Sequence, residues 1–117
     1  MSSGDVVFVQ RKTCKPVRVR MLVKDVEWKC RRPPYNVNKG VIELEWCALD
    51  RTVDFIELEK KIREVAGKGK WIAEDLVAEI ASLIEEKGIA LRYVKLRFSE
   101  TDKIGVEVSY GQPRLHP

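Results

Sequence analysis

The chain has 117 residues, 44% hydrophobic and 34% charged, a composition that predicts a single globular domain with one core. No apolar run approaches the ~18 residues of a membrane-spanning helix, and no apolar signal core opens the chain, so we predict a cytoplasmic protein without membrane contact. The three cysteines show no C-x-x-C spacing, and the one histidine is His116. This composition argues against a zinc finger and against a histidine-based metal site within one chain.

Charge is unevenly distributed along the chain. Residues 1–40 carry ten Lys/Arg and three Asp/Glu, whereas residues 41–117 carry twelve and fifteen. A basic end is compatible with nucleic-acid binding. We favour instead a pairing of basic residues on one strand with acidic residues on its neighbour. The abundance of Lys, Arg and Glu is typical of a thermophile protein, in which surface ion pairs contribute more at high temperature.

The first two predicted elements are strands. Apolar and mostly basic residues alternate over residues 17–24, and this period of two predicts a strand that extends as far as Trp28. Residues 29–39 contain two prolines and two asparagines and predict a loop. The same alternation over residues 42–47 predicts a second strand, with Glu43 and Glu45 on one face. In an antiparallel hairpin, this acidic face would lie opposite the arginines of the first strand, Arg18 and Arg20.

Two helices are predicted next. Asp54 followed by Glu57 resembles a capping box, which satisfies free N–H groups at a helix start. Gly and Lys alternate over residues 67–70 and end this helix, and a second helix begins near Ala73 or Glu74. Apolar residues recur at helical spacing in both helices: Phe55, Leu58, Ile62 and Val65 in the first, and Leu76, Val77, Ile80, Ala81 and Ile84 in the second.

Two further strands, over residues 94–98 and 104–110, complete the predicted fold. The order β-β-α-α-β-β predicts an α+β domain in which two helices cover one face of a four-stranded antiparallel sheet. Residues 1–16 and 112–117 are predicted to be extensions of this single domain. The uncovered face is polar and the edge strands are exposed, so we predict a homo-oligomer in which several sheets close into a barrel.

Three segments resemble the tunnelling-fold superfamily, which includes 6-pyruvoyltetrahydropterin synthase, dihydroneopterin aldolase and the nitrile reductase of queuosine synthesis. Thr52-Val53-Asp54-Phe55 resembles the Val-Asp-Phe/Tyr entry to the first helix of that superfamily. Glu74-Asp75-Leu76-Val77-Ala78-Glu79-Ile80 resembles its Glu-Asn-Leu-Ala start of the second helix, and Ser99-Glu100-Thr101-Asp102 resembles a Glu-Thr segment of the synthase. The resemblance covers roughly residues 28–110 and implies the same fold.

The sequence departs from the zinc-dependent synthase at its metal site. The synthase carries a cysteine shortly before a His-x-His zinc pair, and here Cys30 is followed by Asn36 and Asn38. Asparagine is a poor zinc ligand because its side chain is neutral and donates oxygen. We therefore predict no resident metal and no cofactor.

The metal-free relatives are matched in part. Dihydroneopterin aldolase uses a lysine where Glu100 stands and a tyrosine near the position of Phe55. The nitrile-reductase group uses a cysteine in the first hairpin, an aspartate seven residues later and a glutamate that opens the second helix. Cys30 and Glu74 match the cysteine and the glutamate, but Val37 stands near the position of the aspartate.

The resemblance implies roles for four residues. Glu74 would anchor the guanidine-like edge of a pterin or deazaguanine, because a carboxylate accepts two N–H donors in a charge-assisted fork. Its alternative role is to complement the helix dipole. Glu100 with Thr101 would form a second substrate contact, the alternative being a solvated turn. Cys30 would be a catalytic nucleophile whose thiolate form is favoured by adjacent cations, the alternative being a small buried hydrophobe.

Three functional hypotheses follow. The first is a metal-free pterin- or purine-binding protein, a lyase or aldolase acting on a dihydropterin side chain. The second is a Cys30-dependent amidino- or reductive transfer on a 7-deazaguanine nitrile, as in the queuosine and archaeosine pathways. The third is a non-catalytic paralogue that binds a ligand, RNA or a partner subunit. In the first two hypotheses, the expected ligand is a small bicyclic heterocycle.

Overall fold

The computed structural model describes residues 17–48 and 53–111, and the predicted extensions lie outside these ranges. The described residues form five strands and two helices. In chain order these are β1 (Arg18–Cys30), β2 (Val37–Cys47), α1 (Phe55–Gly67), β3 (Lys70–Trp71), α2 (Ala73–Glu86), β4 (Leu91–Thr101) and β5 (Ile104–Gly111). No helix in these ranges is long and apolar enough to cross a membrane.

The strands form one mixed sheet in the order β3-β1-β2-β4-β5, in which β3 alone runs parallel to its neighbour. The prediction of four antiparallel strands was therefore incomplete. The fifth strand lies in the Gly/Lys segment that was predicted only as a helix break. It comprises Lys70 and Trp71, which pair with Lys29 and Cys30 at the end of β1. A two-residue strand is too short to show an alternating pattern, so the sequence carried no sign of it.

Both helices pack on one face of the sheet, as predicted. Asp54 caps α1 by accepting hydrogen bonds from the backbone N–H groups of Ile56 and Glu57, at 3.0 and 3.1 Å. The predicted capping residue is thus confirmed. Side chains that are at most 2% exposed form the core between the helices and the sheet: Val23, Val26, Ile42, Leu44, Leu58, Ile62, Ala66, Leu76, Val77, Ile80, Ala81, Ile84, Val94 and Leu96.

The opposite face of the sheet carries a network of charges centred on β2. Glu45 lies directly across from Arg20 and receives its guanidinium at 3.2 Å, which confirms the predicted pairing of basic and acidic strands. Glu43 accepts a 2.5 Å hydrogen bond from the hydroxyl of Tyr93 and lies 3.3 Å from the guanidinium of Arg97. Both carboxylates are buried, whereas the guanidinium groups around them are half exposed.

Burial and hydrogen bonding shift the acid–base behaviour of this network. The hydrogen bond from Tyr93 lowers the pKa of Glu43, and nearby cations lower it further. Burial and the hydrogen bond to Glu43 raise the pKa of Tyr93 to about 12. The network is therefore stabilised with Glu43 ionised and Tyr93 protonated.

Candidate functional site

On each of four strands, the row of side chains that faces the helices continues past the core. A cavity of about 340 Å³ opens there. The strand registers explain why distant residues meet there. Trp28 lies opposite Asn38, and Phe98 lies between Gly40 and Val106. Side chains two residues apart on a strand share a face, so each row continues into the cavity wall. The residues that line it are Trp28, Cys30, Arg32, Pro33, Pro34, Asn36, Asn38, Ile72, Ala73, Glu74, Phe98, Glu100, Val106 and Val108.

Cys30 is held at the last position of β1 by the closing of the first hairpin. Its backbone N–H donates to the carbonyl of Asn36 at 2.8 Å, and the N–H of Tyr35 donates to the carbonyl of Arg32 at 2.7 Å. The hairpin loop is therefore shorter than the predicted loop over residues 29–39, because pairing extends both strands into it. The Cys30 thiol is free and partly exposed to the cavity.

The short strand β3 fixes the start of α2 beside this cysteine. Trp71 pairs with Cys30, and its carbonyl accepts a hydrogen bond from the N–H of Arg31 at 2.9 Å. The guanidinium of Arg31 also lies 3.0 Å from the carboxylate of Asp75 in the first turn of α2. These contacts bring Glu74, the second residue of α2, to the cavity that Cys30 lines.

Three of the four predicted site residues therefore line one cavity. Cys30, Glu74 and Glu100 come from β1, α2 and β4, three elements that are separated in the chain. Thr101 does not line the cavity. Its hydroxyl accepts a 3.1 Å hydrogen bond from the N–H of Lys103 in the turn between β4 and β5. The structure brings these residues together, and their roles in binding and catalysis stay predictions.

Three polar cavity residues received no role in binding or catalysis from the sequence: Arg32, Asn36 and Asn38. The two asparagines were noted only as replacements for zinc ligands, and Arg32 only as a cation near Cys30. The two asparagines are two residues apart where β2 begins. This spacing was the available signal that both side chains face the same side of the sheet. Within the described residues, Arg32, Glu74 and Glu100 make no ion pair, so each charge is available to a ligand.

Aromatic rings form part of the cavity wall. Trp28 and Phe98 pack edge to face, with ring centroids 5.2 Å apart and planes at 87°. Trp28 is 3% exposed, and its buried indole N–H has no hydrogen-bond partner among residues 17–48 and 53–111. Trp46 is buried in the core, as expected for a packing residue. The cavity therefore places apolar side chains beside a set of charged and amide groups.

Metal ligands do not cluster in the described part of the chain. Residues 17–48 and 53–111 contain no group of three or more His, Cys, Asp or Glu side chains that would hold a metal ion. The absence of a resident metal stays a prediction, which elemental analysis of the purified protein tests directly. About one zinc per chain, retained through dialysis against a chelator, would contradict it.

Comparison with known proteins supports the fold. No protein-family model matches the sequence, and no curated protein matches it either. The crystal structure of an archaeosine synthase described as QueF-Like, in the apo form, matches with a TM-score of 0.65 and 20% identity, over 85% of this chain and 99% of that one. A putative dihydroneopterin aldolase (FolB) from Vibrio cholerae O1 biovar El Tor matches with a TM-score of 0.54 and 15% identity, over 80% and 98%.

Both structural neighbours share the fold of this chain, and that fold is the one the sequence resemblance implied. At these identities the likeness concerns the fold, a sheet of five strands with two helices on one face. Activity is a separate question, because one fold supports many chemistries. The chemistry must therefore be argued from the cavity itself.

Proposed function

We propose that the cavity binds a planar bicyclic heterocycle of the 7-deazaguanine type and that Cys30 reacts covalently with a nitrile group on its ring. One observation carries the proposal. A free thiol at the end of β1 and a carboxylate at the start of α2 that makes no ion pair with the described residues, 44 positions apart in the chain, line the same cavity. Its volume of about 340 Å³ lies at the lower end of the range for small-molecule sites.

Glu74 supplies recognition. A guanine-like edge presents a ring N–H and an amino group side by side, and a carboxylate accepts both in one plane. Glu74 has no cationic partner within the described residues that would compete for these lone pairs. Glu100, near the end of β4, also lines the cavity and provides a second carboxylate for the remaining donors of the ring.

Cys30 supplies the chemistry. Its sulfur adds to the nitrile carbon, one C–N π bond breaks, and the nitrogen takes up the proton that the thiol loses, which gives a thioimidate. Ammonia or a primary amine then adds to the same carbon. The C–S bond breaks, the sulfur regains a proton, and the product is an amidine with the cysteine restored. This amidino transfer balances without an oxidant or a reductant.

A dihydropterin remains the second candidate ligand because one structural neighbour is a putative dihydroneopterin aldolase. Its guanidine-like edge would bind Glu74 in the same way. The cavity lining favours the nitrile reaction, since no lysine, tyrosine or histidine of the described residues lines it. An aldolase would need such a group to move protons at the side chain.

We also propose that the chain assembles into a closed ring. Among the described residues, strand β5 forms one edge of the sheet, and β3 covers only the last two residues of β1 at the other edge. Pairing between β1 of one copy and β5 of the next would satisfy both rows of free backbone groups. Light scattering at micromolar concentration should give an even assembly of four or more chains. A clean monomer would contradict the ring.

Calorimetric titration with 7-cyano-7-deazaguanine and with neopterin tests the proposed ligand, and intact-protein mass spectrometry tests the chemistry. We expect binding of the deazaguanine and a covalent adduct at Cys30, lost in Cys30→Ser while binding persists. Binding of neopterin without binding of the deazaguanine would favour the hypothesis that the ligand is a pterin. If neither ligand binds, the non-catalytic alternative replaces this proposal.

A further inference from the structure

Asn36 lies directly beside Cys30 at the mouth of the first hairpin. Trp28 pairs with Asn38 and Lys29 with Val37, so continuing the register by one step sets Cys30 opposite Asn36. The 2.8 Å hydrogen bond from the Cys30 N–H to the Asn36 carbonyl agrees with that register.

Side chains at opposite positions of an antiparallel pair share a face, with their Cβ atoms about 5 Å apart. Both Cys30 and Asn36 line the cavity. The carboxamide of Asn36 is thus the polar side chain that neighbours the thiol across the strand pair.

Thiolate addition to a nitrile creates a specific electrostatic need. As the S–C bond forms, an electron pair moves onto the nitrogen, which becomes negatively charged before it is protonated. This nitrogen needs a hydrogen-bond donor. An ionised carboxylate such as Glu74 or Glu100 only accepts, whereas a carboxamide carries two N–H donors and no charge.

We propose that the side chain of Asn36 donates a hydrogen bond to the nitrogen of a nitrile while Cys30 adds to its carbon. The inference rests on the proposed function and assigns Asn36 a catalytic role, electrostatic stabilisation of the transition state. Arg32 also lines the cavity, but it lies within the hairpin loop, whereas the continued register and the backbone hydrogen bond place Asn36 directly across from Cys30.

The test compares two reagents on one cysteine. 2-Cyanopyrimidine is attacked at a nitrile carbon, so charge develops on nitrogen, whereas iodoacetamide alkylates the same thiol with loss of iodide and no such charge. Rates at Cys30 are followed by peptide mapping in the wild-type chain, Asn36→Ala and Asn36→Asp. We expect both variants to slow the nitrile reaction roughly tenfold to a hundredfold and to change alkylation by less than about twofold. Asn36→Asp should be at least as slow as Asn36→Ala, because a carboxylate donates nothing and repels the developing charge.

Two outcomes overturn the inference. An unchanged nitrile rate in Asn36→Ala would show that the carboxamide does not assist the addition. Equal slowing with both reagents would show that Asn36 only orders the hairpin, and a lowered melting temperature would accompany it. 2-Cyanopyrimidine has no guanine-like edge, so the result does not depend on Glu74. If the protein did not bind a deazaguanine, the proposed function would be wrong. The comparison of 2-cyanopyrimidine with iodoacetamide would still test the role of Asn36.

Discussion

Carboxylates on the two sides of the sheet lie in opposite environments. On the polar face, Glu45 is surrounded by the guanidinium groups of Arg18, Arg20 and Arg92, at 3.8, 3.2 and 3.3 Å. In the cavity on the helix-facing side, Glu74 and Glu100 make no ion pair within the described residues. Glu45 is 6% exposed, whereas Glu74 and Glu100 are exposed to solvent.

This difference separates charged groups that stabilise the fold from charged groups that are available to a ligand. A buried carboxylate is costly to desolvate and persists because its lone pairs are satisfied internally. An exposed carboxylate in a concave site retains its hydration and can exchange it for the donors of a ligand. Substitutions on the polar face should therefore change stability, and substitutions in the cavity should change binding.

Glu74→Gln should produce the largest effect. The glutamine keeps the shape, but one acceptor becomes a donor and the charge is lost. We expect the affinity for 7-cyano-7-deazaguanine to fall about ten- to a hundredfold, or roughly 1–3 kcal/mol. The free energy of unfolding should change by less than about 1 kcal/mol, the scale of a helix-dipole contact. Calorimetric titration and urea unfolding measure the two quantities, and unchanged affinity would move the anchor role to Glu100.

Glu45→Gln should reverse this pattern. Removal of the charge leaves three guanidinium groups crowded around a neutral amide, although they are exposed enough to regain some hydration. We expect a loss of about 1–2 kcal/mol in the free energy of unfolding. Affinity for the ligand should stay within about twofold, since the residue lies on the other face of the sheet. A large loss of affinity without any loss of stability would contradict the proposal that the polar face determines stability and the cavity determines binding.

Tyr93→Phe should cost somewhat less, about 1 kcal/mol at neutral pH, because one hydrogen bond to Glu43 is lost. Its pH dependence is diagnostic. The raised pKa of Tyr93, about 12, means that the folded chain holds this proton more tightly than the unfolded chain does. The resulting stabilisation is complete below the unfolded pKa of about 10 and is lost as pH rises towards 12. Wild type should therefore lose more stability than Tyr93→Phe across that interval, as measured by urea unfolding.

The paired face could be predicted from the sequence, and the cavity only in part. Alternation along two strands was enough to place the arginines of β1 on the same face as Glu43 and Glu45, because side-chain direction in a strand follows directly from residue number. Cys30, Glu74 and Glu100 became candidates through the resemblance, since no local pattern links residues so far apart. Their meeting depends on strand register and on the short strand β3, which the sequence did not reveal.

Thr101 and Asn36 show the same limit. Thr101 was predicted to contact the substrate, and in the structure its hydroxyl accepts a hydrogen bond from a turn N–H, a local contact typical of Ser and Thr. Asn36 was read as a loop residue because Asn is common in turns. Its position across from Cys30 follows from strand pairing that continues beyond the predicted ends of the first two strands.

Asp75→Asn should produce the smallest effect and serves as the matched control for Glu74→Gln. Both residues lie in the first turn of α2, both are exposed, and both changes remove one negative charge. Asp75 differs in being paired with Arg31 at 3.0 Å, with both side chains about half exposed. An exposed pair of this kind contributes roughly 0.2–1 kcal/mol to folding.

We therefore expect Asp75→Asn to lower the free energy of unfolding by no more than that amount and to change ligand affinity by less than about threefold, in the same assays. The remaining influence on affinity would come from the long-range charge, which salt screens over about 10 Å at 0.1 M. If Asp75→Asn weakened binding as strongly as Glu74→Gln, the affinity would depend on the net charge at this helix end. The direct fork between Glu74 and the ring would then be wrong.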